Sequence, residues 1–155
     1  MRSYREFRFA LILGLSVFAV TLVPAAQASP PESVTIAASK PLGPVPGTFS
    51  TSGAISDAGT FTTIRRVVSA VPAPTFLVSH LTLLFAGAFG TFTVEAQITE
   101  TLTADPAILV NEGRWSIVDG TGAYATLHGE GEVIGTVNDT LNLITRTFRG
   151  VVHFD

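Results

Sequence analysis

The chain has 155 residues, a formal net charge of −3 at pH 7 and no cysteine. The lack of cysteine excludes disulfides and thiolate zinc sites, and the acidic balance argues against nucleic acid, whose phosphates need a basic surface. The length fits one domain, whose core must supply its stability without covalent cross-links.

The first 28 residues have the pattern of a secretory signal peptide. Three arginines lie among the first eight residues, the apolar run 9–23 follows, and Ala26-Gln27-Ala28 is a small-x-small cleavage site. The run is shorter than the roughly 20 residues that a spanning helix needs. We expect a secreted protein, extracellular or periplasmic, without membrane contact after cleavage; a membrane anchor is the alternative.

A proline-rich segment follows at 29–47. It contains five prolines, and proline neither continues a helix nor donates to a β-ladder. We expect most of this segment to be an extended linker. The piece SVTIA at 33–37 could add one edge strand.

From Thr48 onward the chain is rich in Thr, Val, Ile and Phe, which favour strands, with turn residues between them. Including the possible edge strand, the pattern predicts strands near 33–38, 48–55, 59–70, 75–86, 90–103, 113–119, 127–137 and 142–154. Eight short strands at hairpin spacing predict an all-β fold, a single eight-stranded antiparallel β-barrel with its domain at 48–155. Closure is favoured over a sandwich because it removes exposed strand edges.

Two charged residues interrupt apolar strand faces. Side chains alternate across a strand, so Phe92 and its even-numbered neighbours should face inward, and Glu100 falls on that face. Arg146 similarly shares a face with Phe148. Paired inside the barrel, Glu100 and Arg146 would form a polar spot in an apolar cavity and are candidate catalytic groups. The alternative is a partly hydrated ion pair at the rim.

The segment 76–85 is apolar on both faces, which suggests that another subunit or the proline-rich arm covers its outer side. His80 lies within it and is interpreted as a core or interface histidine or a ligand contact. Trp115 shares a face with Ile117 and should point inward, where it either packs in the core or contacts a ligand.

A glycine-rich stretch at 118–133 allows two interpretations. Gly120 to Ala125 fits a relaxed dinucleotide-binding fingerprint, but Gly129 and Gly131 leave no room for the helix that such a site requires. The alternative is a barrel corner in which Gly120 and Gly122 take positive φ and Tyr124 plugs the barrel end. His128, Glu130 and Glu132 follow on one strand face, which indicates a solvated outer surface or, less simply, a metal site.

The run G-T-G-x-Y-x-x-L-x-G at 120–129, followed by LITRTFRGVVHF at 143–154, resembles the corner and last strand of allene oxide cyclase and dirigent proteins. The segment SGAISDAG at 52–59 is similar to a motif of bacterial secreted relatives of this barrel. The resemblance implies a calycin-like eight-stranded barrel and raises cyclase or dirigent activity as an expectation. It assigns no catalytic residue.

These patterns lead to a first hypothesis, a secreted barrel that binds a small apolar ligand without catalysis. Its expected ligand contacts are Trp115, Tyr124, His80, Phe92 and Phe148. The alternatives are a cofactor-free cyclase or isomerase using Glu100 and Arg146, and a structural envelope or surface homo-oligomer formed through 76–85. The sequence carries no metal or cofactor signature.

Overall fold

The computed structural model describes residues 29–69 and 76–155, so the predicted signal peptide lies outside the described residues. The strands are rich in β-branched and aromatic residues, which favour extended structure. They are β1 Glu32–Pro41, β2 Gly47–Gly53, β3 Ala58–Ser69, β4 Phe76–Gly87, β5 Thr91–Leu102, β6 Ile108–Gly120, β7 Leu127–Asn138 and β8 Leu143–Phe154. None of the described residues forms a helix that is long and apolar enough to cross a membrane.

The eight strands form a closed antiparallel barrel. Each strand pairs with the next one along the chain, and β1 pairs with β8 to complete the circle. This confirms the predicted all-β, eight-stranded antiparallel barrel. The main difference within the barrel domain lies in β6, which begins at Ile108 and not near 113.

The first strand differs most from expectation. Glu32–Pro41 pairs with β2 on one side and along its whole length with β8 on the other, so it is neither a linker nor an edge strand. The prolines that suggested a linker lie outside this strand or at its last residue, Pro41, where a missing N–H does not interrupt the ladder. The barrel therefore includes residues that we had assigned to the proline-rich segment.

A β-bulge in β3 decides which side chains enter the barrel. The register between β3 and β4 shifts between Thr63 and Arg65, which leaves Ile64 as the extra residue. As a result, Arg66 lies opposite Leu81, a buried residue of the inward face of β4. Arg65, its chain neighbour, takes the outward position.

The barrel has two different ends. The first, called the closed end here, contains the β2–β3, β4–β5 and β6–β7 connections and is filled by Ile55, Tyr124 and Leu127, all buried. The second, called the polar end, lies where β1, β3, β5 and β7 finish. Its inward face carries Lys40, Arg66, Ser79, Glu100, Asn111 and Arg146, which we call the polar cluster.

Candidate functional site

Phe92 and Phe148 belong to a packed aromatic core. Phe92 stacks on Phe85 with ring centroids 4.9 Å apart, and Phe148 meets the same ring edge-on at 5.9 Å. Phe49 and Phe61 complete the cluster, and all five rings are buried. Phe92 and Phe148, which we expected to contact a ligand, therefore pack against other rings of the core.

Trp115 points inward, as predicted, and has a clear packing role. It lies in a cross-strand row with Ala96, Gly131 and Gly150, whose small size accommodates the indole. The indole N–H donates to the backbone oxygens of Glu132 at 3.0 Å and of Arg149 at 3.3 Å. With its polar atom satisfied and its ring buried, Trp115 is a core residue in this structure.

Tyr124 plugs the closed end, as the corner interpretation predicted. Gly122 begins a single 3₁₀ turn, Gly122–Tyr124, with a φ of +62° that favours glycine, whereas Gly120 does not adopt positive φ. The Tyr124 hydroxyl donates to the Asp57 carboxylate at 2.7 Å. Burial raises the pKa of the Tyr124 hydroxyl well above its usual range, and the hydrogen bond to Asp57 adds a smaller effect in the same direction.

Asp57 was not singled out by sequence, yet it organises the closed end. Its carboxylate accepts N–H groups from Ala58 at 2.7 Å, Ala88 at 3.0 Å and Phe89 at 3.5 Å, besides the Tyr124 hydroxyl. One buried carboxylate thus joins three connections of the barrel. Its fully partnered environment indicates a structural role.

His80 does not point into the barrel. It is exposed on the outer face of β4, where it lines a groove of about 640 Å³ together with Arg65, Gln97 and Arg114. The interpretation of His80 as a core histidine is therefore wrong, whereas a role at an interface or in ligand binding stays a prediction. The inward side chains of this strand, such as Leu81 and Phe85, are buried, whereas Val78 and Leu84 on its outer face are partly exposed in the single chain.

Glu100 and Arg146 do lie at the same end of the barrel, in one continuous row. Glu100 of β5 pairs with Asn111 of β6, Asn111 with Gly135 of β7, and Gly135 with Arg146 of β8. Because paired residues face the same side of a sheet, all four positions face the interior. At Gly135 a Cβ would come within 2.9 Å of Arg146 Cγ, so the glycine allows the arginine stem to lie over β7.

The expected ion pair between Glu100 and Arg146 is replaced by a different one. Arg66 Nη2 donates to both carboxylate oxygens of Glu100, at 2.9 and 3.0 Å, and its Nε lies 3.4 Å from the hydroxyl of Ser79. Glu100 is buried, whereas the Arg66 side chain is 48% exposed. Arg66 therefore reaches inward from the mouth and satisfies the carboxylate that we had assigned to Arg146.

Asn111 and Arg146 have unsatisfied polar atoms. Asn111 is 1% exposed and Arg146 is 7% exposed. Neither amide atom of Asn111 has a hydrogen-bond partner among the described residues, and neither does Arg146 Nε. Burying polar atoms without partners costs stability, so their presence needs an explanation beyond packing.

Positive charge predominates in the polar cluster. Burial lowers the pKa of the Arg146 guanidinium to about 10; the Glu100 carboxylate opposes this shift, and the charge of Arg66 adds to it. Burial and the nearby Arg146 also lower the pKa of Lys40, whose ammonium donates to the Gly43 carbonyl at 2.7 Å. Three cations thus accompany one carboxylate.

An apolar rim lies beside this cluster on strands β3 to β8. Leu102, Leu109, Val137 and Ile144 form the next cross-strand row toward the mouth. Val68, Leu77 and Leu102, from three adjacent strands, are about half exposed although they belong to the inward-facing set. Exposed apolar groups that gather beside polar ones are typical of a binding surface.

Arg66, Asn111 and Lys40 were missed by the sequence analysis. Asn111 shares the inward face with Gly113 and Trp115, a pattern that becomes visible only if β6 begins before residue 113. Lys40 continues the alternation of Val34, Ile36 and Ala38, as their burial shows. Both signals were present, but the strands that carry them were drawn too short.

His128, Glu130 and Glu132 are exposed on the outer face of β7, which confirms the interpretation as a solvated surface. His128 Nε2 lies 3.0 Å from the carboxylate of Asp155. Within residues 29–69 and 76–155, no group of three potential ligand side chains is placed to hold a metal ion.

No protein-family model, no curated protein and no solved structure matches this chain.

Proposed function

We propose that this protein is a binding barrel that takes a small apolar molecule at the mouth of its polar end. The observation that carries this proposal is the half-exposed set Val68, Leu77 and Leu102, which belongs to the inward-facing pattern but is not fully covered by residues 29–69 and 76–155. A ligand that covered these side chains would remove apolar surface from water, which contributes a favourable free energy of about 25 cal/mol per Å² of apolar surface buried.

The mouth is a better site than the barrel interior. The prediction of a ligand site inside the barrel relied on Phe92, Phe148, Trp115 and Tyr124. These side chains are buried against other rings of the core or hydrogen-bonded to the protein. Opening a space among stacked rings would lose contacts that interiors normally keep. Binding at the mouth needs no such rearrangement of the aromatic core.

Binding is favoured over cofactor-free isomerisation for a chemical reason. A general base must offer an oxygen to the proton that it removes. Both oxygens of Glu100 already accept hydrogen bonds from Arg66. The ion pair with Arg66 is therefore sufficient to account for Glu100 without a catalytic role.

The family assignment also belongs to this proposal. The barrel topology and the 3₁₀ corner at Gly122–Tyr124 are compatible with an allene oxide cyclase or dirigent-like subclass, and the N-terminal pattern supports secretion.

Homo-oligomerisation through the outer face of 76–85 stays a prediction. Light scattering at micromolar concentration tests it, and a monomer would contradict it.

Two measurements test the proposed function. Native mass spectrometry of the protein from its producer should show a retained small molecule that is lost on denaturation. In parallel, the neutral apolar dye Nile red should bind the purified protein and bind Leu102→Gln about three- to tenfold more weakly, because the variant places an amide in the apolar mouth.

The matched control is Ile134→Gln on the outer face of β7. Ile134 is 49% exposed and Leu102 is 47% exposed, so both changes alter a similar amount of apolar surface. We expect the control to bind the dye as the unmodified protein does. An equal loss in both variants, or no dye binding to any of them, would contradict a site at the mouth.

A further inference from the structure

We propose that Asn111 and Arg146 form a buried site for a small hydroxylated carboxylate, either bicarbonate or a 2-hydroxy acid. The site lies one cross-strand row deeper than the apolar rim, and its residues make no contact that the proposed apolar ligand requires. The inference therefore goes beyond the proposed function, and each can fail without the other.

The first argument is the arrangement of unpartnered atoms. Asn111 and Arg146 are separated in their row only by Gly135, which contributes no side chain, and both are more than nine-tenths buried. Arg146 Nε and Asn111 Nδ2 are donors, and Asn111 Oδ1 is an acceptor; all three lack partners among the described residues. Exchanging the two ends of the amide leaves this set unchanged.

The second argument is charge. Lys40, Arg66 and Arg146 bring three positive charges to the polar cluster, and the one carboxylate, Glu100, is held by Arg66. The six residues 70–75 carry no charged side chain, so they add nothing to this balance. A buried guanidinium without a counter-ion is costly, and a bound anion removes that cost.

The third argument is the chemistry of the missing partner. A planar carboxylate offers one acceptor oxygen to each of the two donors, and it is an anion that guanidinium groups bind well. Asn111 Oδ1 requires a donor at the same time. A carboxylate that carries a hydroxyl group satisfies all three atoms, whereas acetate and nitrate leave the Asn111 oxygen unpaired.

The test measures anion binding by calorimetry and by thermal unfolding, followed through the fluorescence of the single tryptophan, Trp115. The probes are bicarbonate, glycolate, acetate and nitrate, at equal ionic strength and pH. We expect the calorimetric binding of bicarbonate or glycolate to saturate as the anion concentration rises. The same anion should raise the unfolding temperature, because a ligand that binds only the folded state stabilises it. Acetate and nitrate should bind at least about tenfold more weakly.

The pair bicarbonate and glycolate distinguishes the two sources of this chemistry. Stronger binding of bicarbonate indicates an inorganic ion, and stronger binding of glycolate indicates a 2-hydroxy acid. Equal stabilisation by all four anions would overturn the inference in favour of general screening. No saturable binding of any of them would overturn it as well.

Variants connect the effect to the site. Arg146→Met and Asn111→Leu should each bind the favoured anion about tenfold or more weakly than the unmodified protein. Arg149→Met should bind it with unchanged affinity. Arg149 lies on the same strand but is exposed on the outer face, so the control removes the same charge outside the barrel. An unchanged response in Arg146→Met and Asn111→Leu would exclude these residues as the site.

Discussion

The closed end and the polar end are built from the same eight strands, but their buried charged groups differ in their hydrogen-bond and ion-pair partners. At the closed end, one carboxylate, Asp57, accepts hydrogen bonds from Tyr124, Ala58, Ala88 and Phe89. At the polar end, three cations accompany one carboxylate, and Asn111 and Arg146 have polar atoms without partners among the described residues. Uncompensated polar groups are expected where function and not stability determines the residue, so the comparison supports the polar end as the place of the sites that we propose.

The largest expected effect concerns the closed end. Asp57→Ala leaves the Tyr124 hydroxyl and the N–H groups of Ala58 and Ala88 without their acceptor. We expect the free energy of unfolding in urea to fall by about 3–5 kcal/mol. The control, Asp119→Ala, removes an exposed carboxylate and should change stability by about 0.5 kcal/mol or less. A small effect of Asp57→Ala would mean that this end is not held by its carboxylate.

The next effect tests the ion pair between Arg66 and Glu100 at the polar end. Arg66→Ala leaves Glu100 buried without its partner, and we expect a loss of about 2–3 kcal/mol, reduced from the fully buried case because Arg66 is half exposed. Adding Glu100→Gln should recover most of the loss. Arg65→Ala, one residue away on the outer face, is the control and should be nearly neutral. Equal losses at Arg65 and Arg66 would contradict the inward position of Arg66.

Strand content was predictable where alternation was regular. β5 and β8 carry apolar side chains at every second position for most of their length, and their predicted bounds agree with the structure within one residue. Glu100 and Arg146 stood out because each interrupts such a pattern. The closing strand β1 was underestimated because nearby prolines were given more weight than the alternation between them.

The partners of those two residues were less accessible to sequence reasoning. Straight alternation from Phe61 places Arg65 inward and Arg66 outward, and only the bulge at Ile64 reverses them. Asn111 was hidden because the apolar run Ile108–Val110 does not alternate. The ion pair Arg66–Glu100 is thus a consequence of one extra residue in a strand, and local propensity does not reveal such a residue.

A smaller effect, of opposite sign, distinguishes the two ends most directly. Arg146→Met removes a buried charge that has no salt-bridge partner among the described residues and keeps an unbranched stem over Gly135. In anion-free buffer we expect the free energy of unfolding to rise by about 1 kcal/mol. Urea unfolding followed by Trp115 fluorescence measures this change. A loss above about 2 kcal/mol would show that Arg146 is a structural residue, like Asp57.

The smallest expected effect is the acid dependence of the closed end. Burial, the largest influence, raises the pKa of Asp57, but the hydrogen bonds from Tyr124, Ala88, Ala58 and Phe89 together outweigh it and hold this pKa below its ordinary value of 3.8. Because the folded pKa lies below the unfolded one, the unfolded state binds the proton more readily. The contribution to stability is therefore complete above the unfolded pKa and is lost as the pH falls through the folded pKa.

The measurement compares the unmodified protein with Asp57→Asn in urea between about pH 6 and pH 2. The difference in their free energies of unfolding should be constant above about pH 5 and should shrink below about pH 4, because only the unmodified protein carries this titrating group. Asp119→Asn, with its exposed carboxylate, serves as the control and should differ from the unmodified protein by a nearly constant amount. A constant difference for Asp57→Asn as well would contradict the depressed pKa, and the closed end would then owe its stability to packing around Tyr124 and not to the charge at its centre.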